Sequence, residues 1–121
     1  MGDNVILKKT FALAVESIKI GRELQTEKKE YIVSKQLMRS STSVGAMVRE
    51  AQQAESKADF IHKMAIALKE ANETEYWIEL LEATDLIEGI NIVPITASLK
   101  ESVKMLTSIV KTAKSNLKNR N

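Results

Sequence analysis

The 121-residue chain contains no cysteine, one histidine, one proline and four glycines, and only 4% of it is aromatic. Without cysteine there is no disulfide, no thiolate ligand and no thiol nucleophile, which accords with a reducing compartment. So few glycines and prolines leave few places to turn, and long helices follow. The N-terminal "MGDNVILKKTFALAVESIKI" is interrupted by charge too often for a signal peptide or a membrane span. The expected location is the cytoplasm.

At 13.5 kDa the chain suffices for one domain, residues 1–121, with a modest core. Apolar residues make up 44% and charged residues 28%, an ordinary balance for a soluble globular protein. The formal net charge of +2 selects no partner by itself. Its distribution is uneven: nine bases against five acids in residues 1–49, three against ten in 50–99, and six against one in 100–121. An acidic middle between basic ends suggests helices that complement one another, or an electrostatically two-sided assembly.

Apolar spacing predicts four helices and no strand. The first spans about Asn4 to Gln25, with Leu7, Phe11, Ala14, Val15 and Ile18 as its inward stripe, and "TEKKE" ends it. The second spans about Glu30 to Gln53 on Val33, Leu37, Ser40, Val44, Val48 and Ala51. Its small residues, Ser40, Ser41, Ser43, Gly45 and Ala46, lower helicity but let a neighbour approach closely. The third opens on a capping-box pattern, Ser56 to Asp59, and runs to about Ile87, with Gly89 as the stop. Asn91 caps the fourth, Pro94 sits in its first turn, and Ile92, Ile95, Leu99, Val103, Leu106, Val110, Ala113 and Leu117 mark its core face. Short connections make successive helices antiparallel. The fold class is all-α, an up-down-up-down antiparallel four-helix bundle.

Five glutamates crowd "KEANETEYWIELLEA", residues 69–83. A di-metal bundle would use Glu-x-x-His on two helices, and this chain has no such motif. The spacings Glu70/Glu73 and Glu79/Glu82 are common on solvated helices, and the single histidine, His62, is read as a surface or interface residue. No metal or other cofactor is expected. Glu75 lies at the edge of the core stripe formed by Phe60, Met64, Ala67, Leu68, Ala71, Ile78 and Leu81, so it calls for a buried ionic partner, Arg39 or Lys35. Ile66, Trp77 and Leu80 fall nearly opposite that stripe. A second apolar stripe containing tryptophan suits an oligomer contact, although an isolated surface tryptophan would look the same. Ser40, Ser41 and Ser43 lack a base and orienting carboxylate, and "GAMVRE" lacks the features of a phosphate loop. No enzymatic constellation emerges.

The fourth helix carries Lys100, Lys104, Lys111, Lys114 and Lys118 on one stripe, about 27 Å long at 1.5 Å per residue. Such a row can follow phosphates without reading bases, because ammonium groups act as point charges. The alternative is a solvated face that maintains solubility or pairs with the acidic third helix.

The segments "SKQLMRSSTSVGAMVREA" and "SKADFIHKMAIALKEANETEYWIELL" resemble the bacterial family known as four helix bundle protein, or 23S rRNA-intervening sequence protein. The resemblance covers nearly the whole chain and is strongest over residues 34–82. Met47 stands where the family motif leads one to expect Asn after Gly-Ala. The resemblance implies bundles assembled as a homopentameric barrel, encoded within insertions in ribosomal RNA genes, with no enzymatic activity. A similar protein serves as accessory to the reverse transcriptase of diversity-generating retroelements, where a basic surface binds nucleic acid. The expected function is therefore a non-enzymatic homo-oligomer that binds RNA or another nucleic acid. The alternative is a protein–protein scaffold.

Overall fold

The computed structural model describes the backbone of residues 2–119 and the side chains of residues 5–119. Four helices make up the fold: α1 (Gly2–Glu27), α2 (Val33–Ala51), α3 (Lys57–Ala83) and α4 (Val93–Asn119). α1 packs on α2, α2 on α3 and α3 on α4, and α4 closes the bundle against α1. Residues far apart in sequence meet as antiparallel neighbours must: Gly45 lies against Thr10, and Gly21 against Met38. Among the described residues no helix is long and apolar enough to cross a membrane.

One apolar core runs through the bundle, built from Ile6, Leu13 and Leu24 of α1, Leu37, Val44 and Val48 of α2, Met64 and Leu81 of α3, and Ile95 and Leu106 of α4. Truncating any of the leucines, isoleucines or Met64 among these to Ala would cost about 2–5 kcal/mol. The core contains seven buried serine or threonine side chains. Six of them are satisfied locally or across the bundle. Thr10, Ser17 and Ser41 donate to carbonyls three or four residues earlier, at 2.8, 2.8 and 2.5 Å, and Ser34 donates to Glu30 O at 2.8 Å. Ser40 and Thr74 share a hydrogen bond at 2.8 Å that ties α2 to α3. Ser102 Oγ is the buried side-chain atom without a partner among the described residues.

The expected inward face of α1 needs correction. Ile6, Thr10, Leu13, Ser17, Ile20 and Leu24 are the buried positions, whereas Phe11 is 59% exposed. Leu7, Ala14, Val15 and Ile18 are only half-buried. α1 is apolar on two sides, and the side that accommodates α2 closely is the one with Thr10 beneath Gly45. The stripe predicted for α2 points inward largely as expected, and α3 buries Ile61 and Thr74 where Phe60 and Leu68 were expected. Of the stripe predicted for α4, Ile95, Leu99, Leu106 and Val110 are buried, together with Ser102, whereas Ile92, Val103, Ala113 and Leu117 are only half-buried.

The helix ends are set by side chains and backbone in turn. After α1, Lys29 takes a left-handed φ of 56° and Glu30 N–H donates back to Leu24 O at 3.1 Å. The Glu30 carboxylate then accepts from the N–H groups of Ile32, Val33 and Ser34 at 2.9, 2.8 and 2.7 Å. Those are the orphan donors of the first turn of α2, so Glu30 caps the helix from outside it. Ser56 caps α3 by accepting from Asp59 N–H at 3.0 Å, while Asp59 reaches back to Glu55 N–H rather than to the cap residue. α3 stops at Ala83, four residues before the expected end. Leu86 N–H donates to Leu81 O, Asp85 N–H donates to Glu82 O, and Asp85 turns the chain with φ of 60°. This is a Schellman ending with aspartate in the place glycine usually takes. Asn91 Oδ1 accepts from Val93 N–H at 3.1 Å at the entry to α4.

Candidate nucleic-acid interface

α4 is amphipathic, and its polar face follows from how its apolar face is used. Leu99, Leu106 and Val110 are buried, which leaves Lys100, Lys104, Lys111, Lys114 and Lys118 exposed. None of the five forms an ion pair among the described residues. Thr107 fills the gap in the row and turns its hydroxyl inward to Val103 O at 2.7 Å. The lone acid of α4, Glu101, lies one turn from Lys104 on the flank toward α1 and is taken by Lys9 of α1 at 2.7 Å. The row is therefore not neutralised along its length.

Its lower end differs from the rest. Lys100 lines a cleft between α3 and α4 together with Glu75, Glu79 and Glu82. Lys111, Lys114 and Lys118 lie in the other half of α4, away from that cleft. At the other basic end of the sequence, Lys19 approaches Glu16 at 3.7 Å, and Lys8, Lys28 and Lys29 carry no ion pair among the described residues.

The expected pair of Glu75 with Arg39 is not present. Glu75 is exposed and faces the α4 side of α3. Arg39 instead donates to Glu70 at 3.4 Å, to Glu73, and through Nε to Gln36 Oε1 at 3.0 Å. The reason is angular: Glu70 and Glu73 lie on the flank of α3 that faces α2, and Glu75 lies around the helix from them. Glu73 also accepts from the Trp77 indole N–H at 3.1 Å. Trp77 is half-buried, packs partly against the core and meets Tyr76 edge-on, with ring centroids 4.9 Å apart. Ile66 and Leu80 are half-buried on the same outward side, and His62 is exposed. Met47, in the position where Asn was expected, is half-buried and packs against the core.

Two carboxyls are held below their ordinary range. Burial alone would raise that of Glu30, and the N–H groups of Val33, Ser34 and Ile32 outweigh it. Asp59 is lowered chiefly by Glu55 N–H, then by its bond to Lys63. Among the described residues no three His, Asp or Glu side chains gather as a metal site would require. Two features had no clear sequence signal: Glu30 as a cap, and the outward position of Phe11.

A model of the family described as 23S rRNA-intervening sequence protein matches residues 2–108, so Lys111, Lys114 and Lys118 lie beyond the matched span. No curated protein matches significantly. Among solved structures, the chain is similar to a protein of unknown function from the S23 ribosomal protein family of Bacteroides thetaiotaomicron, with 50% identity and a TM-score of 0.86. That similarity covers 92% of this chain and 99% of the other. The family match spans most of the sequence and the bundle is shared with a close relative; the chain belongs to the 23S rRNA-intervening sequence protein family.

Proposed function

We propose that the protein is a non-enzymatic cytoplasmic homo-oligomer that binds RNA, or another nucleic acid, through the lysine row of α4. The observation that carries this reading is the exposure of all five lysines, none of them in an ion pair among the described residues, with only Lys100 beside a glutamate-lined cleft. The ligand class follows from that chemistry. A row of ammonium groups favours a polyanion with regularly spaced charges, and it offers no donor–acceptor pattern with which to read bases. Repetition of the row around an oligomer multiplies contacts that are individually weak. The family resemblance suggests five subunits, and the outward stripe of Ile66, Trp77 and Leu80 is proposed to contribute contact surface.

Binding to a structured RNA should fall steeply with salt and depend little on sequence. Replacing Lys104, Lys111 and Lys114 together with Gln should weaken binding and flatten the salt slope by about 0.7–0.9 for each phosphate that is no longer neutralised. Titration of labelled RNA over a salt series measures both. Binding untouched by the triple change would move the site to Lys8, Lys19, Lys28 and Lys29. No binding of RNA or DNA at low salt would favour the second reading, a protein scaffold or an accessory subunit, for instance to a reverse transcriptase. Exposed Phe11 and Tyr76, at 59% and 54%, supply apolar surface for such a partner.

A further inference from the structure

Two grooves on opposite flanks of the bundle have apolar floors and rims of opposite sign. Between α1 and α2, Leu7 and Phe11 stand beside Gly45 and Ala46, with Lys8 and Arg49 at the edge and no carboxylate in the lining. Between α3 and α4, Ile78, Leu99 and Val103 floor a cleft of about 290 Å³. Glu75, Glu79 and Glu82 rim it against the single base Lys100. Neither Lys8 and Arg49 nor those three glutamates form an ion pair among the described residues. Phe11 is the most exposed of the described aromatics.

The geometry points to a head-to-tail contact in which the α1/α2 groove of one copy seats on the α3/α4 cleft of the next. Phe11 enters the cleft over Leu99 and Val103, and Lys8 and Arg49 meet the glutamate rim. This inference rests on the homo-oligomer reading above and places the main contact on these two faces, with the stripe of Ile66, Trp77 and Leu80 secondary to it. A two-fold contact of either face with itself would set like charge against like, whereas the two faces together are complementary. Because they lie on opposite flanks, one chain can engage both neighbours at once, and a rotation that closes produces a ring. The Lys9–Glu101 ion pair also brings the α1 segment carrying Leu7 and Phe11 level with Lys100 and Val103 of α4.

The test is complementation between two crippled faces, read by light scattering. Phe11→Glu removes the groove and leaves the cleft; Val103→Glu removes the cleft and leaves the groove. Each alone should behave as a single chain with helicity retained by circular dichroism. Mixed in equal amounts, they should form a species of two chains and stop, since one intact groove meets one intact cleft. A second measurement covers the case in which a variant fails to fold. Arg49→Glu and Glu79→Arg, both at exposed positions, should each weaken assembly by about tenfold or more, and the two in one chain should restore it. A folded mixture that stays single-chain, or a sign swap that does not restore assembly, overturns the contact. Wild type running as a single chain would remove the oligomer reading as well; a wild-type oligomer unmoved by all four variants would remove this contact alone.

Discussion

Glu30 has three backbone donors on its carboxylate and stands before the helix it caps, not within it. Glu30→Ala should lower stability by about 1 kcal/mol, the usual cost of removing a cap. The dependence on pH has a definite sign. A carboxyl whose folded pKa is depressed contributes its stability above the ordinary glutamate range and loses it as pH falls through the folded value. Wild type should therefore lose stability faster than Glu30→Ala as pH falls from that range, which urea melts at several pH values would measure. If the two melt in parallel, the three N–H bonds are not what holds the charge. Sequence spacing placed Glu30 as the first residue of the helix, because a glutamate is as ordinary within a first turn as in the polar turn ahead of it.

Among the elements, α3 shows why a helix can be easy to find and hard to end. Its capping residue was legible, since Ser56 and Asp59 are a recognised pair. Its stop was not, because Gly89 is the residue that usually takes the left-handed position, yet Asp85 adopts it first with φ of 60°. Asp85→Gly should stabilise the protein by roughly 0.5–1 kcal/mol through relief of that conformation. Gly89→Ala should cost about 1 kcal/mol, because Gly89 also has positive φ, at 83°. Opposite shifts in thermal midpoint would confirm both; equal shifts would remove the left-handed argument. α1 was misread for another reason. Periodicity reveals apolar stripes but not which one a neighbour covers, and Phe11 drew the prediction toward the larger residues. The smaller face, with Thr10 under Gly45, is the one that lets α2 approach.

At the scale of the whole molecule, the bundle and the exposure of the lysine row were both readable, because an inward stripe on α4 fixes what points outward. The polar contacts between helices were less so. Arg39 could reach several carboxylates one turn apart on α3, and a sequence does not say which of them faces it. The pair that formed has an optical consequence. Trp77 is the only tryptophan, and its indole N–H bonds to Glu73, the same carboxylate that receives Arg39 from α2. The chain thus carries its single tryptophan, which can be excited selectively over the tyrosines, at the α2–α3 seam, remote in sequence from the α4 lysines. Its emission should shift to the red on unfolding, in step with the disappearance of helical circular dichroism if the bundle melts as one unit. It should stay fixed when RNA is titrated onto α4. A red shift that precedes the melting of helix would mean that α2 and α3 part while their helices persist.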